Sequence, residues 1–190
     1  MNAMMLRALV AAVAASSAFV ASAAGYVVHA KPDDGSSLSL TRDGRTVPAP
    51  RTEPEQAGFE QAQVSADGRT VGWVAQMPNC CTSYPLPLVL VLYRDGKVIR
   101  RFDEAPPIWD WAFVPGRDEV VIRQAYPHGP EFFTFTRLRI ADGKALATYE
   151  CNQDERVHAP RPAWTRVIGE QCPDYMPPGG AEEPAASAAR

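Results

Sequence analysis

Beyond its first two dozen residues, this 190-residue chain has almost no helical periodicity: apolar side chains do not recur three and four apart over any long window. That absence excludes a helical bundle and the alternating strand–helix pattern of an α/β sheet. A basic excess is also missing. Past residue 24 there are 18 basic against 22 acidic residues, a formal charge of −4. Nucleic acid is therefore not an expected partner, because binding it requires a cationic face that neutralises phosphates. Histidines are scarce and scattered at His29, His128 and His158, and no Cys-x-x-Cys occurs. Clustered zinc ligands are thus absent, and neither a metal nor a cofactor is implied. No later apolar run is long enough to span a membrane.

Residues 1–24 have the form of a cleaved signal peptide. One cation, Arg7, precedes an apolar run from Ala8 to Ala21, and the small residues Ala21-Ser22-Ala23-Ala24 follow. Cleavage after Ala23 or Ala24 fits equally well. The run is about 14 residues, where a transmembrane helix needs about 20. The expected location is the periplasm or the exterior. A domain is expected over 25–175, and the Pro-, Gly-, Ala- and Glu-rich tail 176–190 should be disordered.

All four cysteines, Cys80, Cys81, Cys151 and Cys172, lie past the signal segment. An even count in an oxidising compartment predicts two disulfides. Bridging the neighbours Cys80 and Cys81 is strained, since disulfide Cα separations normally exceed those of adjacent residues. Each is therefore expected to take a different downstream partner. The alternative is a Cys151–Cys172 bridge that leaves Cys80 and Cys81 free or paired together.

The body of the chain is read as all-β. Short β-prone runs alternate with Asp43-Gly44, Asp67-Gly68, Asp95-Gly96 and Asp142-Gly143, the dipeptide that best marks a hairpin; a looser Gly116-Arg117-Asp118 turn joins them. Four strands are expected at 59–65, 70–76, 88–94 and 97–103. Four more follow in the same order at 108–115, 119–126, 132–140 and 144–150. An offset of 50 superposes Val64 on Val114, Val71 on Val121 and Ala75 on Ala125; an offset of 47 superposes the two Asp-Gly-Lys turns. A stub of an earlier unit surrounds Asp43-Gly44, and a later unit is expected to begin in 162–168. Four antiparallel strands per unit at a period near 48 predict propeller-like blades: two full units plus fragments, forming an open or partial propeller or packing as a sandwich. The open sheet edges then invite oligomerisation unless covered.

The segments Val64–Trp73 and Asp95–Ile99 resemble TolB-type (WD40-like) propeller repeats across roughly 26–150, which implies architecture rather than activity. Asn79-Cys80-Cys81-Thr82-Ser83-Tyr84-Pro85 and Ile108-Trp109-Asp110-Trp111-Ala112-Phe113 resemble uncharacterised exported bacterial β-repeat proteins. That resemblance implies a non-catalytic binding or interaction protein of the envelope, whose partner is another envelope protein or a small envelope ligand. A narrower version is similar to periplasmic immunity proteins that block a cell-wall-degrading toxin with a loop, here 79–85.

Antiparallel units sort their crossings. The tight Asp-Gly turns should collect at one end, and the irregular loops 78–85, 103–107, 127–131 and 151–160 at the other, where binding residues tend to lie. Asn79, Thr82, Ser83, Tyr84, His128 and Gly129 are the candidate partner-binding residues. A hydrolase using Ser83 with His128 and Asp110 or Asp103, or Cys80 or Cys81 with His128, is the alternative. Trp109 and Trp111, two apart in one strand, should face the same side and fill space between blades, a carbohydrate platform being the sharper alternative. Trp73 and Trp164 are expected in the core or its cover.

Overall fold

The structure is a computed structural model that describes residues 25–30, 35–80, 83–103, 106–127, 133–151 and 161–169. It is all-β. Strands β1 (Val27–Ala30), β2 (Leu38–Arg42) and β3 (Arg45–Pro48) form a first, three-stranded sheet. A second sheet comprises β4 (Gly58–Val64), β5 (Thr70–Met77), β6 (Leu86–Arg94) and β7 (Lys97–Phe102). A third comprises β8 (Ile108–Phe113), β9 (Glu119–Gln124), β10 (Phe133–Arg139) and β11 (Ala145–Cys151). Every pairing is antiparallel between sequence neighbours, so each sheet is a simple meander. The segment expected to open a further unit is instead a short 3₁₀ helix, Ala163–Val167. Its polar contacts are local: Thr165 Oγ1 donates to Pro162 O at 2.8 Å, and Arg161 Nη2 to Thr165 O at 2.9 Å.

The Asp-Gly turns solve their geometry in two ways. At Asp43-Gly44 and Asp95-Gly96 both residues have positive φ (52° and 73°, 50° and 82°), the primed hairpin turn whose twist matches the strands. At Asp67 and Asp142 only the glycine is positive. There the carboxylate accepts a backbone N–H two residues on, from Arg69 at 3.0 Å and from Lys144 at 3.1 Å, a side-chain mimic of the turn. Asp67 Oδ1 also accepts from Ser65 Oγ at 2.6 Å. These bonds, Ser65's first, favour the charged form and hold the Asp67 carboxyl below the ordinary aspartate range. A depressed folded-state pKa gives stability that is present above the unfolded value and lost as pH falls through the folded one. Asp67→Asn is therefore expected to flatten the acid-side loss of stability, read as urea midpoints at about pH 6 and about pH 3. An acid-side slope as steep as the wild type's would remove the linkage from this turn.

The second sheet is buried on both faces, which is why its strands read as near-continuous apolar runs. Successive residues of β5 and β6 alternate between two interfaces. Val71, Trp73, Ala75, Val89, Val91 and Tyr93 pack against Tyr26, just before β1, and against Leu38 and Leu40 of the first sheet. Val74, Leu90 and Leu92 pack against Ile108, Trp111, Val120 and Ile122 of the third. Pro87 is tolerated inside β6 because it sits at the register shift opposite Ala75 and Gln76, where a ladder bond is already lost.

The stack ends differently on its two sides. On the outer face of the third sheet, Val121, Phe135 and Cys151 are covered by Ile168, Val167 and Trp164 from the 3₁₀ segment. The far face of the first sheet carries polar side chains bonded to one another: His29 Nε2 lies 3.1 Å from Thr41 Oγ1, which lies 2.8 Å from Thr46 Oγ1. That face is mainly polar among the described residues, with Val27 its one large exposed apolar side chain.

Two inner-edge strands are stitched together by side chains. Gln61 has a positive φ of 50° in a bulge that interrupts the β4–β5 register between Glu60 and Gln63. The bulge aims Gln61 Nε2 at Trp109 O (2.9 Å), while Gln63 Nε2 reaches Trp111 O (2.7 Å) and Trp111 Nε1 donates back to Gln61 O (3.0 Å). The edge carbonyls of Gln61, Trp109 and Trp111 are thus satisfied across the sheet boundary.

Candidate functional site

The meanders collect the tight turns at one end. Arg42 meets Asp95 there at 2.7 Å and Arg94 meets Asp118 at 3.2 Å, each tie linking one sheet to the next. Tyr26 N donates to Gly68 O across the same end at 2.8 Å. The Arg42 tie lowers the Asp95 pKa. The two clefts at this end measure about 860 and 690 Å³ and run between the sheets; these arginine–aspartate ties lie among their lining. Of their charged groups, Arg42, Asp95, Arg94 and Asp118 hold sheet to sheet, while Asp67 and Arg117 are tied within their own hairpins.

At the opposite end the loops are irregular, and here the described residues form a smaller open depression of about 560 Å³. Tyr84 enters it from the β5–β6 loop. Trp109 comes from β8, Arg123 from β9, Ala125, Tyr126 and Pro127 from the start of the β9–β10 loop, and Phe133 from β10. Two loops from different sheets therefore meet at one surface. Hydrogen bonds brace its floor. Trp109 Nε1 donates to Ala125 O (2.8 Å), Gln124 Nε2 to Pro106 O (2.7 Å), and Ala125 N to Pro107 O (3.3 Å). Arg123 is 7% exposed, with its guanidinium 4.9 Å from the centre of the Phe133 ring. Tyr84 and Tyr126 are 46% and 64% exposed, aromatic area that folding has not buried.

Trp109 reaches this depression because its strand is irregular. The β8–β9 register shifts between Ile108 and Asp110, so one extra residue is accommodated and the alternation breaks. Trp111 stays in the interface between the second and third sheets at 1% exposure, while Trp109 turns to the loop end. The expectation that both face one side is corrected by this bulge. Trp73 is fully buried, and Trp164 covers the third sheet.

Of the residues singled out in the sequence, Tyr84 lines the depression. Ser83 is exposed beside it and outside the lining, and no hydrogen bond among the described residues ties it to an acid. Asn79 is half-buried and Cys80 exposed on the same loop. Asp103 lies 3.9 Å from Arg101, and Asp110 sits opposite Arg123 in the ladder. Cys81, Thr82, His128, Gly129 and Cys172 lie outside the described residues. Neither Cys80 nor Cys151 is a free thiol, so Cys80 has no thiolate to offer as a nucleophile. Among the described residues no group of three or more metal-ligating side chains occurs, and no helix is long and apolar enough to cross a membrane.

Sequence reasoning does not single out Tyr126, Phe133 or Arg123, and it places Trp109 in the space between blades. A signal was available: aromatics flank the 127–131 loop on both sides, at Tyr126 and at Phe132-Phe133. No protein-family model matches the chain, and no curated protein matches it.

Proposed function

We propose that this chain is an exported bacterial envelope protein that binds a partner without catalysis, through the loop end of a partial propeller. The observation that carries the binding site is the pair of exposed tyrosines, Tyr84 and Tyr126, from loops of different sheets around one braced depression. Exposed aromatic area on rigid supports is what recognition surfaces use, because two-torsion side chains lose little entropy on binding. In the propeller reading the first sheet is a blade lacking its innermost strand: β1 starts beside Gly68, at the end where β5 starts, and so runs as a second strand does. The polar far face of that sheet and the 3₁₀ cover on the third support a stack that ends without closing a ring.

Export is supported by the signal-like residues 1–24. Disulfides fit the same compartment. Cys151 is packed with Ile168, four residues before Cys172, which favours a Cys151–Cys172 bridge. Thiol titration of the denatured, unreduced protein is expected to find no free cysteine; a full complement of four thiols would sink the disulfide reading.

The binding test is affinity capture from an envelope extract using the wild type and the Tyr84→Ala/Tyr126→Ala double variant. These substitutions are on the surface and are expected to change stability by no more than about 0.5 kcal/mol each. A component retained by the wild type and lost from the variant supports the loop-end site. Identical recovery from both would remove it.

A further inference from the structure

We infer that the free edge of β1 takes an extended, uncharged segment of another protein, which pairs antiparallel with it as a fourth strand of the first sheet. This surface is separate from the loop-end depression and does not depend on it. The first sheet has three strands where the second and third have four, and β1 is one of its two edges. The parity of its ladder fixes which groups stand open. Asp43-Gly44 is a two-residue hairpin turn, so Arg42 and Arg45 exchange hydrogen bonds, as do Leu40 and Val47 two residues away. Backbone groups alternate sides along a strand, so Ser39 and Thr41 face β1, opposite His29 and Val27. Val28 and Ala30 therefore turn their N–H and C=O groups away from β2. Tyr26, two residues earlier, does the same, and its N–H donates to Gly68 O at 2.8 Å. Among the described residues no such bond continues to Val28 or Ala30, and no strand lies beyond β1.

β1 is also the one unprotected edge among the described strands. Charge, proline and bulges are the devices that keep a further strand from adding to a sheet. β3 carries Arg45 and ends on Pro48, and β7 carries Lys97, Arg100 and Arg101. β4 and β8 are bulged and stitched to each other by Gln61, Gln63 and Trp111. β11 carries Glu150 and meets β10 through a register shift. Val27-Val28-His29-Ala30 has no Asp, Glu, Lys, Arg or Pro, and its register with β2 is unbroken. Val27 is 52% exposed. Such an edge offers main-chain bonds for affinity and alternate side-chain positions for selection.

The surroundings of β1 choose the occupant. Residues opposite one another in a ladder share a face, so the segment's residue paired with Val28 turns toward the Ala62 and Val64 side, and its neighbours turn toward the face of Thr41. Apolar β-branched residues alternating with hydroxyl-bearing ones fit both sides, and β1 has no charge to match one. The chain's own tail is a poor source. The described residues end at Gly169, beside the cover of the third sheet at the far end of the stack. Residues 170–190 hold Pro173, Pro177, Pro178 and Pro184 and no Val, Ile, Thr, Phe or Trp. A second copy fits no better. A two-fold axis pairing β1 with β1 sets both β4 strands, each packed beside its own β1, on the same side of the joint.

Titration of the purified exported protein with a capped Thr-Val-Thr-Val-Thr peptide, read by NMR amide exchange, tests this. Without peptide, the Val28 and Ala30 amides should exchange at least about tenfold faster than those of Val27 and His29. The peptide should slow Val28 and Ala30 by about tenfold or more. Its valine N–H groups face β1 in this register, so N-methylation of the valines should abolish binding, and N-methylation of the threonines should not. Ala30→Pro removes an N–H that β2 does not use, and Val27→Lys adds an edge charge; each should weaken the peptide by about tenfold or more. Should Ala30→Pro fail to fold, Val27→Lys decides. The Tyr84→Ala/Tyr126→Ala variant should bind the peptide as the wild type does. No peptide binding, or binding that leaves the Val28 and Ala30 amides unprotected, overturns the inference. Protection that appears without peptide as protein concentration rises assigns the edge to a second copy and overturns the external segment. Peptide binding that emerges only after removal of residues 170–190 assigns the edge to the tail, with the same result.

Discussion

Trp111→Ala is expected to destabilise the protein by about 3–5 kcal/mol, the range for emptying a fully packed aromatic position. The side chain is 1% exposed in the interface between the second and third sheets, with its ring 5.0 Å from Phe113 in an edge-on contact. Its indole N–H also donates to Gln61 O at 3.0 Å, across the boundary between β8 and β4. Truncation therefore empties the interface and strands an acceptor on a bulge whose central residue already sits at positive φ. Trp111→Phe keeps most of the ring and loses only the donor, so it should cost distinctly less. Urea midpoints at unchanged slope measure both. A Trp111→Ala cost below about 1 kcal/mol, the level of an ordinary surface change, would mean that the two sheets are not held together here.

Gly72→Val is expected to be comparably damaging for the opposite reason. A β-carbon at Gly72 would overlap the Trp111 ring and come within 2.7 Å of Leu92 Cδ2. Both neighbours belong to the packed interface between the sheets, so neither yields cheaply. Overpacking costs about 1–3 kcal/mol, and a branched side chain in this gap belongs at the upper end or beyond. The diagnostic is rescue. Gly72→Ala in a Trp111→Leu background should be less harmful than Gly72→Ala alone, by a coupling of about 1–2 kcal/mol. Strict additivity would show that the glycine is not there to admit the indole.

The strands were legible because their turns announce them. Asp95-Gly96 and Asp43-Gly44 have local geometry that few other dipeptides adopt, and the apolar runs between turns have strand length. Internal spacing then grouped the strands, since hairpins with tight turns joined by short loops favour a meander. Residues 162–168 are where a later unit is expected to begin, but Pro162 and the Thr165 hydroxyl favour a tight helical turn. Tyr84 was reached through its irregular loop. Trp109 departs from the expected side because the two-residue alternation does not run through Ile108–Asp110, where the ladder slips by one. A bulge depends on the partner strand, and no local pattern in Ile108-Trp109-Asp110 encodes it.

Sequence alone determined the β class, the number and order of strands in the two complete units, and the end at which turns gather, because these follow from short-range backbone preferences and connection length. Tertiary structure decided which faces are buried, how the stack stops, and which aromatic rings meet at the loop end. Those outcomes depend on side chains far apart in the chain, such as Gly72 making room for Trp111 or Tyr84 approaching Tyr126. Only the docking of one sheet on another brings them within contact distance.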